Sequence, residues 1–524
     1  MHLSYKTSRY KDKVYKSYAI AESYREGGKV KKRTIWNIGK LTDKQRDQIK
    51  LICKTISVPG QVITTLENIV VPESKPYLDI AVVNALWEKW NMSRAFGSHV
   101  TNSELSTSLV AKILTINKCV APCSCYSIPQ WANNTALSEV IGHPLENLND
   151  DKIYYELDKI AQSQNQIEDH LFGMTYRKEK SSYDFVNYDL SSSYFVGMNC
   201  NLSNYGKSKD DKPKNKQVVL GILVNDRGYP FKWDVYPGNT AEVKTLTGNV
   251  DACRERFKLK DITLVFDRGI VSDDNLDYIS ERNLKYISAL DKNQIPGIAG
   301  IDLSVFADIS LNNFKARLSR RGYACYDKSL YFKDLGIIEN QRYVLGFNPV
   351  LFEDERKCRN EKFASFEDLL IKKNKELRNA THSRDYDKTR QAILNELKRL
   401  KIKKYFHDPV LTELTINKTN KRGKTTSVKS FHVTVEKKLV TITDRENLDG
   451  LCVFISNHIQ SSGKQFIFSG RDIINAYRDK AKIEDVFKHI KSFLKIRPFY
   501  VNLDEHVRAV YSICVLAYFL NKDI

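Results

Sequence analysis

The chain has 524 residues, of which 42% are hydrophobic and 11% aromatic, so wholesale disorder is excluded and roughly three or four domains are expected. Its formal charge of +20 favours a polyanionic partner, nucleic acid or an anionic surface. No stretch reaches the roughly 18 apolar residues that a membrane-spanning helix requires, and the start MHLSYKTSRYKDK lacks the apolar core of a signal peptide.

In chain order, residues 1–70 mix basic and aromatic positions, with a hairpin turn expected at Gly27–Gly28. TDKQRDQIKLICKTI then reads as a helix capped by Thr42 or Asp43. The basic cluster Lys29, Lys31, Lys32 and Arg33 lies between Tyr24 and Trp36, a pattern that suits DNA phosphates and equally a solvated hairpin. Residues 71–178 read as a helical domain. Ten scattered cysteines resemble reduced thiols more than a disulfide framework, which fits a cytoplasmic setting. The trio Cys119, Cys123 and Cys125 lacks the second ligand pair of a structural zinc site.

From 179 to 290 the order β-β-β-α-β-α-β predicts a mixed sheet with helices on its faces. The basic loop 207–216 separates its first two strands and is a candidate to track a nucleic-acid backbone, as is the long basic helix near 372–404. Residues 291–440 read as an inserted module of short strands, a long charged helical stretch, and strands through KSFHVTVEKKLVTIT. Residues 441–524 resume with a buried strand, LDGLCVFISN, and end in VYSICVLAYFL, a short apolar helix suited to core packing.

Two acids stand at the ends of apolar strands: Asp189 in VNYDLSSSYF and Asp267 in LVFDRG. A carboxylate so close to a buried strand must be paired or bind a cation, and either arrangement satisfies the sequence. In YRDKAKIEDVFKHIK, Tyr477, Lys480, Glu484 and Lys491 are spaced 3, 4 and 7 apart. At about 100° per residue they share one arc of a continuous helix, beside an apolar stripe of Ile483, Val486, Phe487, Ile490, Phe493 and Leu494. By itself that line reads as a charged surface. If the helix packs on the sheet, Glu484 joins the two aspartates. Three oxygen donors suit Mg²⁺ or Mn²⁺, and two such ions support in-line displacement at phosphorus.

The ordered Asp189, Asp267 and Glu484, with Y-x2-K-x3-E-x6-K, resemble the insertion-sequence transposases of the DDE class, in the branch whose signature is Y-x2-R-x3-E-x6-K. GKSKDDKPKNKQVVLGILVNDRGYPF, PGNTAEVKTL, FDRGIVSDDNL, KSFLKIRPFYV and the N-terminal SYREGGKVKKRTIWNIGKL fit the same branch. The resemblance implies an α/β fold: an RNase H-like mixed-sheet core interrupted by a β-rich insertion, with an N-terminal helical DNA-binding region. It implies metal-dependent cleavage at insertion-sequence ends and strand transfer into target DNA. Carried over by position, Asp189, Asp267 and Glu484 are the catalytic and metal-binding triad, with two Mg²⁺ or Mn²⁺ ions. Tyr477, Lys480 and Lys491 contact DNA phosphates. Lys480 stands where the family has Arg, keeping the charge and losing the bidentate fork. The implied partners are double-stranded DNA and a second copy of the chain in a synaptic dimer, with no membrane. Cytoplasmic, nucleoid-associated action follows. The other readings are a transposase-derived DNA-binding protein without catalysis and an RNase H-like metal-dependent nuclease.

Overall fold

A computed structural model describes residues 1–11, 13–56, 75–97, 105–178, 180–196, 199–207, 214–307, 309–419, 425–463 and 465–524. Positions 208–213 of the basic loop lie outside the described residues. The chain divides into two compact units, Met1–Lys75 and Pro76–Ile524.

The first unit is an antiparallel meander followed by a helix: β1 (His2–Tyr10), β2 (Lys13–Glu26), β3 (Lys29–Gly39) and α1 (Asp43–Ile56). Gly27 and Gly28, both at positive φ, make the expected turn, where a residue with a Cβ is strained. Thr42 caps α1, its hydroxyl accepting from the Gln45 N–H at 3.3 Å.

The second unit opens with α2 (Leu78–Lys89), α3 (Thr107–Val120), α4 (Ile128–Asn133), α5 (Leu137–Ile141), α6 (Asp150–Gln162) and α7 (Gln164–Lys178). The core follows as β4 (Phe185–Tyr194), β5 (Gln217–Asn225), β6 (Pro230–Pro237), α8 (Thr247–Asp251), β7 (Thr263–Phe266), α9 (Asp273–Glu281) and β8 (Lys285–Ala289). After α10 (Phe314–Arg320) come β9 (Ala324–Asp327), β10 (Leu330–Ile338), β11 (Gln341–Phe347), α11 (Pro349–Arg378), α12 (Tyr386–Arg399), β12 (Val410–Thr419), β13 (Thr425–Thr434) and α13 (Leu439–Glu446). The chain then returns through β14 (Leu451–Ser456), α14 (Gly470–Arg478), α15 (Ala481–Lys488) and α16 (Asp504–Asn521).

Nine strands form one mixed sheet in the order β6-β5-β4-β7-β8-β14-β11-β10-β9. β4, β7 and β8 run parallel, and the remaining neighbours are antiparallel. Every residue of β5 is buried, because the sheet is covered on both faces. Its side chains alternate accordingly. Val218, Leu220, Ile222 and Val224 join a core with the N-terminal helices, α15 and α16, while Val219 and Leu223 join the opposite core with α9. The expected apolar helix at the C-terminal end is thus core: Trp233 donates to Ser512 at 2.9 Å and Tyr511 to the Gly221 carbonyl at 3.2 Å.

The 291–440 segment does two things. Its strands β9–β11 extend the core sheet beside β14. Its helices α11 and α12 and the hairpin β12–β13 build a separate core around Phe363, Phe366, Leu397, Phe406 and Phe431. The expected single long helix is two helices. LVTIT, expected as a strand, opens α13, with Ile442 buried in that same core; packing overrides β-propensity here.

Candidate active site

Asp189 lies on β4, and Asp267 follows directly after β7. These strands are parallel neighbours, and their register pairs Tyr188 with Phe266. The next residues along, the two aspartates, therefore stand side by side at the carboxyl end of the sheet, on strands about 4.8 Å apart. The Asp189 carboxylate accepts from the Leu190 N–H at 2.8 Å.

α14 reaches this point by packing Ile473, Ile474 and Ala476 on Val265, Ile287 and Phe454 of the central strands. A capping box at Ser469 and Asp472 starts the helix. The inserted strands clamp its outer side: Arg478 pairs with Asp327 and donates to Ser329 at 2.9 Å, and Arg471 donates to the Cys325 carbonyl at 2.9 Å. Tyr477 emerges over the sheet, its ring 5.2 Å from that of Phe454.

Its hydroxyl donates to Asp267 Oδ1 at 3.1 Å. The Lys480 ammonium lies 3.3 Å from the same oxygen and is itself buried. Burial, the largest single effect, pushes the Asp267 pKa up, but the Lys480 charge together with hydrogen bonds from Lys480, the Arg268 N–H and Tyr477 outweighs it, and the carboxyl is held below its ordinary range. Burial, then the negative charge of Asp267, drives the Tyr477 phenol far above its ordinary value; the Asp189 charge adds to this.

The expected continuous helix is broken. α14 ends at Arg478, and α15 begins at Ala481 with Lys480 as its N-cap; a π-turn over His489–Phe493 carries Lys491. The break sets Lys480 inward against Asp267. α15 packs through Ile483, Val486 and Phe487, as the apolar stripe requires. Phe493, expected in that stripe, is 53% exposed.

The structure thus brings together Asp189, Asp267, Tyr477 and Lys480. Glu484 is exposed on α15, and Lys491 is half-buried further along. Among the described residues, no three acidic, histidine or cysteine side chains stand close enough to hold a metal ion. The residues nevertheless suit one. The donors are all oxygen, two carboxylates sit on adjacent strands, and one of them already attracts a cationic group. Burial pushes the Cys123 thiol up and that of Cys125 to about 11, which favours the protonated thiol at both.

Two residues that the sequence did not single out support the turn after Asp267. The buried Asn275 amide donates to the Ile270 carbonyl at 2.8 Å and the Val243 carbonyl at 2.9 Å, joining the FDRG turn to the PGNTAEVKTL turn. Glu242 lies against Gly269, where a Cβ would collide with its carboxylate. PGNTAEVKTL and FDRGIVSDDNL carried the signal as motifs. The role of Asn275 in joining them had no local sign.

Residues 3–61 match the family model described as IS1634 family transposase, N-terminal domain, and residues 197–328 match the transposase DDE domain. The second match contains Asp267 but neither Asp189 nor Glu484. A search of curated proteins returns no match. Among solved structures, a piggyBac transposase synaptic complex with hairpin DNA is 8% identical, with 85% of this chain and 71% of that chain covered at a TM-score of 0.35. A Mos1 transposase paired-end complex with left transposon end is 9% identical, with 45% and 71% covered at a TM-score of 0.16. No helix among the described residues is long and apolar enough to cross a membrane. With an insertion-sequence N-terminal domain and a DDE domain in one polypeptide, the chain is an insertion-sequence transposase of the DDE class, an enzyme of DNA transposition that depends on a divalent metal ion.

Proposed function

We propose that Asp189, Asp267 and Glu484 form the metal-binding catalytic triad, with two Mg²⁺ or Mn²⁺ ions. The observation that carries this reading is that Asp189 and Asp267 each follow directly on the register pair Tyr188–Phe266 of β4 and β7, with α15 packed against β4. When bound, the metal supplies an activated water or 3′ hydroxyl and a counter-charge for the leaving oxygen. Asp267 stays ionised because Lys480 and Tyr477 hold its charge. Glu484, on the exposed side of α15, completes the set. Tyr477, Lys480 and Lys491 orient the phosphates at the cut, as cationic and hydroxyl donors do.

The basic β3 and the helices α2–α7 recognise the insertion-sequence ends. Two copies of the chain bring both ends together, and the reaction takes place in the cytoplasm on nucleoid DNA. The test is cleavage and joining of a duplex bearing an insertion-sequence end, with Mg²⁺ and with Mn²⁺. Products of both steps with wild type, and neither with Asp189→Asn or Asp267→Asn, support the reading. Cutting without any joined product favours a nuclease instead.

A further inference from the structure

Lys480 lies in an unexpected place for a side chain that is to meet DNA phosphates. It is 6% exposed, and its ammonium stands 3.3 Å from Asp267 Oδ1, the oxygen that also accepts from the Tyr477 hydroxyl at 3.1 Å. As the N-cap of α15 it sits at the break between α14 and α15, turned inward, while Glu484 one turn further on is exposed. Arg268, next to Asp267 in the chain, is placed the other way: its side chain is 56% exposed, with Asp291 at 3.6 Å. The cation that meets the Asp267 carboxylate is therefore a compact ammonium on a flexible four-carbon stem.

Two carboxylates on adjacent parallel strands repel each other, and one ammonium offsets half of that charge. A divalent cation offsets all of it. The two do not serve together, because an ammonium and a divalent cation within a few ångströms of one oxygen repel strongly where water screens little. A lysine stem can swing away and carry its charge elsewhere. The fork of an arginine grips a carboxylate through two parallel hydrogen bonds and lets go less easily.

We propose that Lys480 is a built-in counter-cation of the metal site. Its ammonium holds Asp267 Oδ1 until a divalent cation takes that oxygen, and the displaced side chain then turns to the DNA phosphates. Loading of the site and release of Lys480 are one exchange, so a single lysine serves the resting site first and the substrate afterwards. The proposal rests on the reading of Asp267 as a metal ligand.

The test uses the full chain at neutral pH without DNA, and Mn²⁺ alone as the probe, with free Mn²⁺ counted by electron paramagnetic resonance. Lys480→Met has no ammonium to displace and is expected to bind Mn²⁺ about fivefold more tightly than wild type, the equivalent of roughly 1 kcal/mol. Arg268→Gln removes an exposed charge beside the same aspartate and should change the affinity by less than about twofold. A second measurement uses wild type and so holds even if Lys480→Met folds poorly. Lysines are labelled with an amine-reactive reagent and read by mass spectrometry, and saturating Mn²⁺ is expected to speed the labelling of Lys480 and leave that of Lys491 as it was. Unchanged affinity in Lys480→Met, an equal gain in Arg268→Gln, or labelling of Lys480 that ignores bound Mn²⁺ overturns the proposal. Asp267→Asn separates it from the reading beneath. Undiminished Mn²⁺ binding in that variant sinks Asp267 as a metal ligand, whereas lost binding there with no gain in Lys480→Met sinks the exchange alone.

Discussion

The Lys480 ammonium and the Asp267 carboxylate stand 3.3 Å apart, across more than two hundred residues of chain. This contact ties the break between α14 and α15 to the end of β7. It keeps one carboxylate ionised in a half-buried place and gives a buried lysine its counter-charge.

Lys480→Met removes that charge, leaving burial to raise the Asp267 pKa. Because the folded-state pKa is depressed in wild type, the pair's contribution is fully present above the unfolded carboxylate value of about 3.9 and is lost as pH falls through the lower folded value. The variant is expected to be less stable at pH 7 by about 1 kcal/mol, a figure discounted for the partial exposure of Asp267. Denaturant titrations at neutral pH and near pH 3 check this, and the difference should shrink at the lower pH. Lys480→Arg, which restores the family's residue, should keep the pair and the neutral-pH stability.

Asn275→Ala tests the turn that holds Asp267. It strips hydrogen bonds from the Val243 and Ile270 carbonyls, at a cost of about 1–3 kcal/mol. A displaced carboxylate should lower the cleavage rate by about tenfold to a hundredfold. DNA affinity, read by gel shift, should be unchanged.

In the first unit, Lys31 pairs with Glu26 and Arg33 with Glu22, both at 2.7 Å. Lys29 and Lys32 on the same strand are exposed. If both contact phosphate, the double variant Lys29→Ala/Lys32→Ala should flatten the slope of log affinity against log salt by about 0.9 per lost contact. An unchanged slope removes β3 from the DNA interface.

The inserted module is anchored where Arg359 on α11 meets Asp449, with side chains 6% and 0% exposed and Nη2–Oδ2 at 2.5 Å. Asp449→Ala leaves the buried Arg359 guanidinium with only Glu446, 3.5 Å away, as its counter-charge and should cost about 3 kcal/mol. Replacing both partners by Met and Leu should cost much less, as chemical denaturation of the single and double variants will show.

The succession of elements around Asp189 and Asp267 was legible because β5 and β7 are apolar runs bounded by turns, and the C-terminal helix because its stretch VYSICVLAYFL is almost wholly apolar. The helix break was not, since the spacing of Tyr477, Lys480, Glu484 and Lys491 fits an unbroken helix. What draws Lys480 inward is Asp267, a partner that no local window contains. The same holds for Asn275, whose amide bonds carbonyls in other elements. LVTIT misled because its β-branched residues favour a strand, whereas burial of Ile442 against the inserted helices decides for α13. Of the proposed triad, the two aspartates could be located from the sequence and are brought together by the sheet, although Asp189 lies in the middle of β4 and not at its end as expected. Glu484 was marked by its motif rather than by its surroundings.

The central claim is therefore tested most directly at Glu484. Wild type and Glu484→Gln are compared for Mg²⁺-dependent cutting of an end-bearing duplex, with binding of the same duplex measured alongside. The account predicts that the variant binds as wild type does and does not cut. Retained cutting at the wild-type rate would contradict it.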